Sequence, residues 1–316
     1  MTLVHQTDIA LPAHRTPGGF DHAAVHRASA RLYVAHTAND TLDVLDCATD
    51  RYLHAIPNLT GVAGALVSEE CHLVFTSNRG EHTVGIFAPD AEADLVKVAV
   101  GIGPNGLAYD PGRDRLVVAN VGDPQIPHSY TVSIVDVAAQ AMIASVPVPG
   151  RTRWAVFDPQ HEVFFVNIAD PAQIVVFDAR HPQQIAHAYA IPAPGPHGLD
   201  LDIAQGRLYC ACDARVLICV DARSGRVLDE RALSGSPDVM FFNPSLRHLY
   251  VAIGDPGVID VFDTTTMQRL ETVVTAQGAH TIALDAARNK VYAFLPHTHQ
   301  AAVYIDQKVC AATTQE

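Results

Sequence analysis

The chain has 316 residues, 48% of them hydrophobic, and a formal charge of −13 with only three lysines (Lys97, Lys290, Lys308). That hydrophobic share is enough for a large core, whereas so acidic a chain lacks the basic surface that nucleic-acid binding requires. No apolar run approaches the roughly 20 residues of a membrane span. The start, MTLVHQTDIALPAHR, has no basic segment followed by an apolar stretch, so no secretory leader is expected, and the six cysteines are expected to be reduced thiols of a cytoplasmic protein.

In chain order, Leu3 to Pro12 reads as a lone strand ahead of a Pro17-Gly18-Gly19 joint. A unit of about 20–59 follows, with four short strands: GFDHAAVHR, RLYVAH, TLDVLD and the more polar YLHAIPNL. The same order recurs at about 60–102, 103–150, 151–193, 194–235, 236–278 and 279–306. The second strands are recognisable throughout as HLVFTS, RLVVAN, EVFFVN, RLYCAC, HLYVAI and KVYAFL. Third strands close on Asp46, Asp136, Asp178, Asp221, Asp263 and Asp306, while TVGIFAPD reaches Asp90 two residues late. These aspartates are expected to accept hydrogen bonds from turn N–H groups rather than to act in catalysis. Pro/Gly-rich joints, such as GIGP at 101–104, precede the inner strands.

A roughly 40-residue repeat of four strands is the signature of a β-propeller. The expected fold is therefore all-β: one seven-bladed propeller of four-stranded blades. The segment 3–12 completes the last blade, whose own strands stop at the third, so no sheet is left with an open edge there. The last ten residues are read as an extension of the outer edge or a loose tail.

A propeller puts equivalent repeat positions in a ring around its channel. Asn105, in GPNGLAYD, lies five residues before Asp110 near the start of an inner strand. Its equivalents are read as His22, Ala63, Arg153, His197, Asp238 and His280. Because the circle closes, His197, Asp238, His280 and His22 would form one arc, with Arg153 beside it. Three imidazoles and a carboxylate on rigid strands suit a divalent ion such as Zn, Cu, Fe, Ni or Mn, with His22, His197, Asp238 and His280 as ligands. The same groups also suit acid–base work. Loops after the second strands reach the same face and bring His36, Asn120 and His299. His36, His280 and His299 are candidate proton-transfer groups, and Arg153, Asn105 and Asn120 are candidate substrate contacts. His5, His14, His54, His161, His181 and His187 read as surface residues on turns or outer strands, and Trp154, the single tryptophan, reads as blade packing. Cys210, Cys212 and Cys219 read as buried small hydrophobes rather than a sulfur site. The chain has no phosphate-binding glycine loop, no GxSxG and no HExxH.

The run GPNGLAYDPGRDRLVVAN followed by TVSIVD resembles the repeat of YVTN-type propellers, and the resemblance extends from 20 to 306. Such repeats occur in YncE-like proteins, lactonase-type propellers and the streptogramin lyases. The lyases are seven-bladed and use a divalent metal and a channel-mouth histidine, which His280 in GAHTIALD would match. The resemblance implies a metal-dependent enzyme acting on a small, oxygen-rich, anionic molecule, by lactone hydrolysis or lyase-type elimination. The alternative expectation is a propeller that holds a ligand or partner without turnover.

Overall fold

The computed structural model describes residues 2–307. It contains seven four-stranded antiparallel sheets. Six of them are built from consecutive strands; in the seventh, Leu3–Ala10 pairs with Gln300–Asp306 as the outermost strand. The expected closure is thus present, and the backbone of Gln307 adds a bond from its N–H to the Thr2 carbonyl at 2.9 Å. Residues 308–316, read as an edge extension or tail, lie outside the described residues.

Alternation along each strand determines what is buried. The third residue of the second strand is a large ring in six blades: Tyr33, Phe75, Phe165, Tyr209, Tyr250 and Tyr292, all fully buried. Each of seven apolar clusters fills the gap between two neighbouring blades, so the core is a ring of seams rather than one centre. Cys210 and Cys212 share the seam between blades 4 and 5, while Cys219 faces the next seam, so the three sulfurs do not meet. The strand-end aspartates act as expected: Asp46 accepts from the Ala48 and Thr49 N–H groups at 2.7 and 2.9 Å, and Asp221 accepts from Ser224 at 2.8 Å. Asp306 departs from this role. It is buried and accepts from His248 at 2.7 Å and from the Tyr250 hydroxyl, tying blade 7 to blade 6.

The inner strands carry the site. At the position after the ring residue, blades 2, 3 and 5 have Gly64, Gly106 and Gly198. A Cβ there would lie 2.6, 2.4 and 2.6 Å from the carbonyl oxygen of the next blade's ring residue, so only glycine lets the strands approach.

Candidate functional site

Strand pairing corrects the register of blade 1. Asp110 pairs with Arg115, and the equivalent pair in blade 1 is His26 with Arg31. Five residues before His26 stands Asp21, so the ring is Asp21, Ala63, Asn105, Arg153, His197, Asp238 and His280. His22 occupies the next position, where three other blades have glycine. Its ring turns into the channel and lies against Trp154, 4.0 Å between centroids at 40°. Trp154 is therefore a channel residue as well as a packing one. Below the pair lies a cavity of about 490 Å³, walled by Leu66, Tyr109, Val156 and Phe241 and running to turns at the opposite face. His22 and Trp154 divide a polar mouth from this apolar chamber. Three carboxyls also line the chamber, Glu69, Glu70 and Asp200; burial raises Asp200 to about 6, even though the Phe242 and Leu201 N–H groups favour its charged form.

A second ring stands beside the first, formed by the residue directly after each second strand. In blade 2 this is Arg79 and in blade 5 Asp213. Backbone bonds from Arg79 N–H to Gly61, and from Asp213 N–H to Gly195, hold these residues over the mouth at 3.0 and 2.8 Å. They stand one position past the strand-end residues, such as His36 and Asn120, that the sequence singles out.

The two rings join into a charge network with two sides. On the side of blades 5 to 1, Asp213 meets His197 Nδ1 at 2.7 Å, and Asp238 meets His197 Nε2 at 3.1 Å and His280 Nδ1 at 2.8 Å. Burial opposes charge on His197, but Asp238 and Asp213 outweigh it and raise its pKa to about 9. His280 behaves alike: burial lowers its pKa, yet Asp238 and then Asp21 carry it above the ordinary histidine value. Asp238 is held well below the carboxylate range, since the two imidazoles overcome the cost of its burial. His22 goes the other way, because burial outweighs Asp21 at 3.3 Å and keeps the ring neutral. On the side of blades 2 to 4, Arg79 contacts Asp21 at 3.4 Å and donates to the Asn105 side-chain oxygen, and Arg153 contacts Asp213 at 3.5 Å. Arg151 stands with them. Burial lowers its pKa first, and the nearby Arg153 and Arg79 lower it further.

This arrangement does not fit the metal expected at the arc. Both ring nitrogens of His197 are bonded to carboxylates, which makes it an imidazolium without a lone pair, and Asp238 is shared between two imidazoles. His22 is out of register with the others. Asn120, expected at the substrate, is fully buried inside blade 3 and donates to the Thr131 and Ser133 hydroxyls at 3.0 and 2.9 Å. Asn105 and Arg153 are at the mouth as expected. His36 and His299, expected to serve the arc, share no hydrogen bond or ion pair with it among the described residues. They sit at the seam of blades 7 and 1 with His14, whose ring lies 5.0 Å from His36 and 4.4 Å from His299. His14 is accordingly not a free surface residue: burial and then the neighbouring imidazoles lower its pKa to about 4.

No protein-family model matches the chain, and no curated protein matches it. Many solved chains share its fold. One of them, from Kuenenia stuttgartiensis hydrazine synthase, matches with a TM-score of 0.79 over 95% of this chain and 98% of that one, at 13% identity. At that identity the likeness shows the propeller fold alone. Among the described residues no helix is long and apolar enough to cross a membrane.

Proposed function

We propose that the channel mouth binds a small, oxygen-rich anion, held by arginines on one side and handled by a proton-loaded histidine on the other. The observation that carries this reading is the convergence of Arg79, Arg151 and Arg153 opposite the His197–Asp238–His280 relay. With both histidines charged, four cations (Arg79, Arg153, His197, His280) face three carboxylates (Asp21, Asp213, Asp238), before Arg151 is added. A chain that is acidic overall therefore has a locally cationic mouth, where a carboxylate would be drawn in and gripped in paired hydrogen bonds.

His280 is the group best placed to act on such a ligand. Its Nδ1 is held by Asp238, and its side chain is 37% exposed, which leaves Nε2 for a ligand. A charged imidazole there would donate a proton to a departing oxygen. In lactone opening, the hydroxyl of water would bond to the acyl carbon as the ring C–O bond breaks. His280 would protonate the released oxygen and recover a proton from the attacking water. No metal is needed at the arc for this reading. Membership of the YVTN-type propellers and a cytoplasmic setting belong to the same proposal; among the described residues, five cysteines form no disulfide and four of them are buried, which supports a reducing compartment. A non-catalytic binding module is the second reading, favoured by His197, whose nitrogens are both committed to carboxylates.

Trp154 supplies the test, as the only tryptophan and a wall of the channel. Its emission is followed while sugar acids, dicarboxylates and lactones are titrated at pH 7, with Arg153→Ala and His280→Ala in parallel. Saturable binding that weakens at least about tenfold in Arg153→Ala supports an anion site. Turnover of a lactone lost in His280→Ala selects the enzyme reading, and binding without turnover selects the module. A flat response across the panel contradicts both.

A further inference from the structure

We propose that His14, His36 and His299 form a binding site for a borderline transition metal such as Zn²⁺, Ni²⁺ or Cu²⁺, at the seam between blades 7 and 1. The site is separate from the charge network of the mouth and does not depend on the reading of that network.

His36 is the fixed member of the group. It ends the second strand of blade 1 (Arg31–His36), is fully buried, and has its Nδ1 2.8 Å from Asp43, which is equally buried. Thr41 and Asn39 complete the surroundings: Thr41 donates to Asp43 at 3.0 Å, and the Asn39 amide lies 3.3 Å from the same imidazole nitrogen. A carboxylate on one imidazole nitrogen sets the tautomer and leaves a lone pair on the other. That is how metal-ligating histidines are oriented. The other nitrogen, Nε2 of His36, is buried without a hydrogen-bond partner among the described residues.

Two further imidazoles share the same deficiency: His14, against the His36 ring, and His299, against His14. His14 Nε2 and His299 Nδ1 are also buried and have no hydrogen-bond partner among the described residues. A buried polar atom left unpaired costs about 1–3 kcal/mol, and native proteins keep few of them. Three such atoms, with the His14 ring lying against both of the others, call for one shared partner. A single cation satisfies all three lone pairs, and imidazole donors select the borderline transition metals over Mg²⁺ or Ca²⁺.

Among the described residues no three such side chains already stand in coordinating geometry. Here the rings pack edge to face, at 68° and 70°. Two of them can turn. His14 lies on the connection from the outer strand of blade 7 to blade 1, and His299 lies on the turn between Leu295 and Gln300. Asn39 pins the connection on either side of His14, donating to the Ala13 carbonyl at 3.0 Å and accepting from Arg15 N–H at 2.8 Å. Rotation about the imidazole torsion is soft, so closure needs no movement of the sheets. The site would thus comprise one fixed ligand and two that close on the ion.

Tag-free, full-length protein stripped with chelator is titrated with ZnCl₂ by calorimetry, and with CoCl₂ while the visible spectrum is recorded. The parent is compared with His14→Ala/His299→Ala and with His197→Ala/His280→Ala, each checked for fold by circular dichroism and melting. The expected result is one Zn²⁺ per chain, a tetrahedral Co²⁺ spectrum, loss of both in the seam variant and retention of both in the mouth variant. The seam variant changes only loop residues; should it fail to fold, His14→Gln alone is substituted and must weaken binding at least about tenfold. Absence of saturable binding to the parent would overturn the proposal and leave ordered water as the shared partner. Binding that survives the seam variant, or is lost only in the mouth variant, would overturn it as well.

Discussion

The molecule holds two groups of histidines on one face, and they have opposite electrostatics. At the channel mouth, each of His197 and His280 is backed by carboxylate, which raises its pKa above the ordinary histidine value. At the seam, His14 lies among other imidazoles and is driven neutral. Both places are partly desolvated, so burial alone does not decide the outcome. Its sign is the same in the two groups, and the carboxylates outweigh it in one but not in the other. Residue type therefore says little here: the same side chain is pushed toward its charged form at the mouth and toward its neutral form at the seam.

The largest effect is expected at His280. If the mouth turns over a lactone, His280→Gln should lower kcat by about 10²–10⁴-fold while leaving the melting temperature almost unchanged, measured by steady-state kinetics and calorimetry. An unchanged kcat would remove His280 from the chemistry.

Next in size is Asp238→Asn, which takes the shared carboxylate from two imidazoles. Both histidine titrations should fall back toward the ordinary range, and anion binding at pH 8 should weaken. Stability should drop by about 2 kcal/mol in urea denaturation, less than for a fully buried pair because the carboxylate is part-exposed. A variant whose histidines titrate as in the parent would show that Asp238 does not charge them.

The pH dependence follows from the same pairs. His197 has a folded pKa raised from 6.5 to about 9. Its ion pairs therefore contribute fully to stability below 6.5, and that contribution is lost as pH rises through about 9. His280 is raised too and loses its contribution on the same alkaline side. Anion affinity should fall across this window, as read from Trp154 emission, while His14, already neutral, adds nothing there. Affinity that rises toward pH 9 would contradict the charge assignment. The smallest effect is expected from Trp154→Phe. It keeps an aromatic wall against His22, costs about 1 kcal/mol, and should leave the mouth titrations in place.

Much of the fold was legible because its signals are local and repeated. The alternation in RLYVAH, the closing aspartates and the missing fourth strand of blade 7 each correspond to a feature seen in the sheets. The site was legible only in part. Arg153, His197, Asp238 and His280 were placed on the ring correctly because their inner strands end on the same Asp or Asn. Blade 1 ends on His26 instead, and counting slipped by one from Asp21 to His22. Arg79 and Asp213 were missed because they follow the second strands, although the repeat position after each second strand could have found them. His14 and His36 could not be joined from the sequence, since their contact depends on how the N-terminal connection crosses the seam.

The most direct test of the account is a pH titration of the imidazole resonances by ¹⁵N-edited NMR, with His197→Gln used for assignment. The account predicts that His197 stays protonated through neutral pH and titrates near 9, with His14 neutral down to about 4. A His197 that titrates at or below 6.5 would mean that its carboxylates do not hold a charge at the mouth, and the anion-site reading would fall with it.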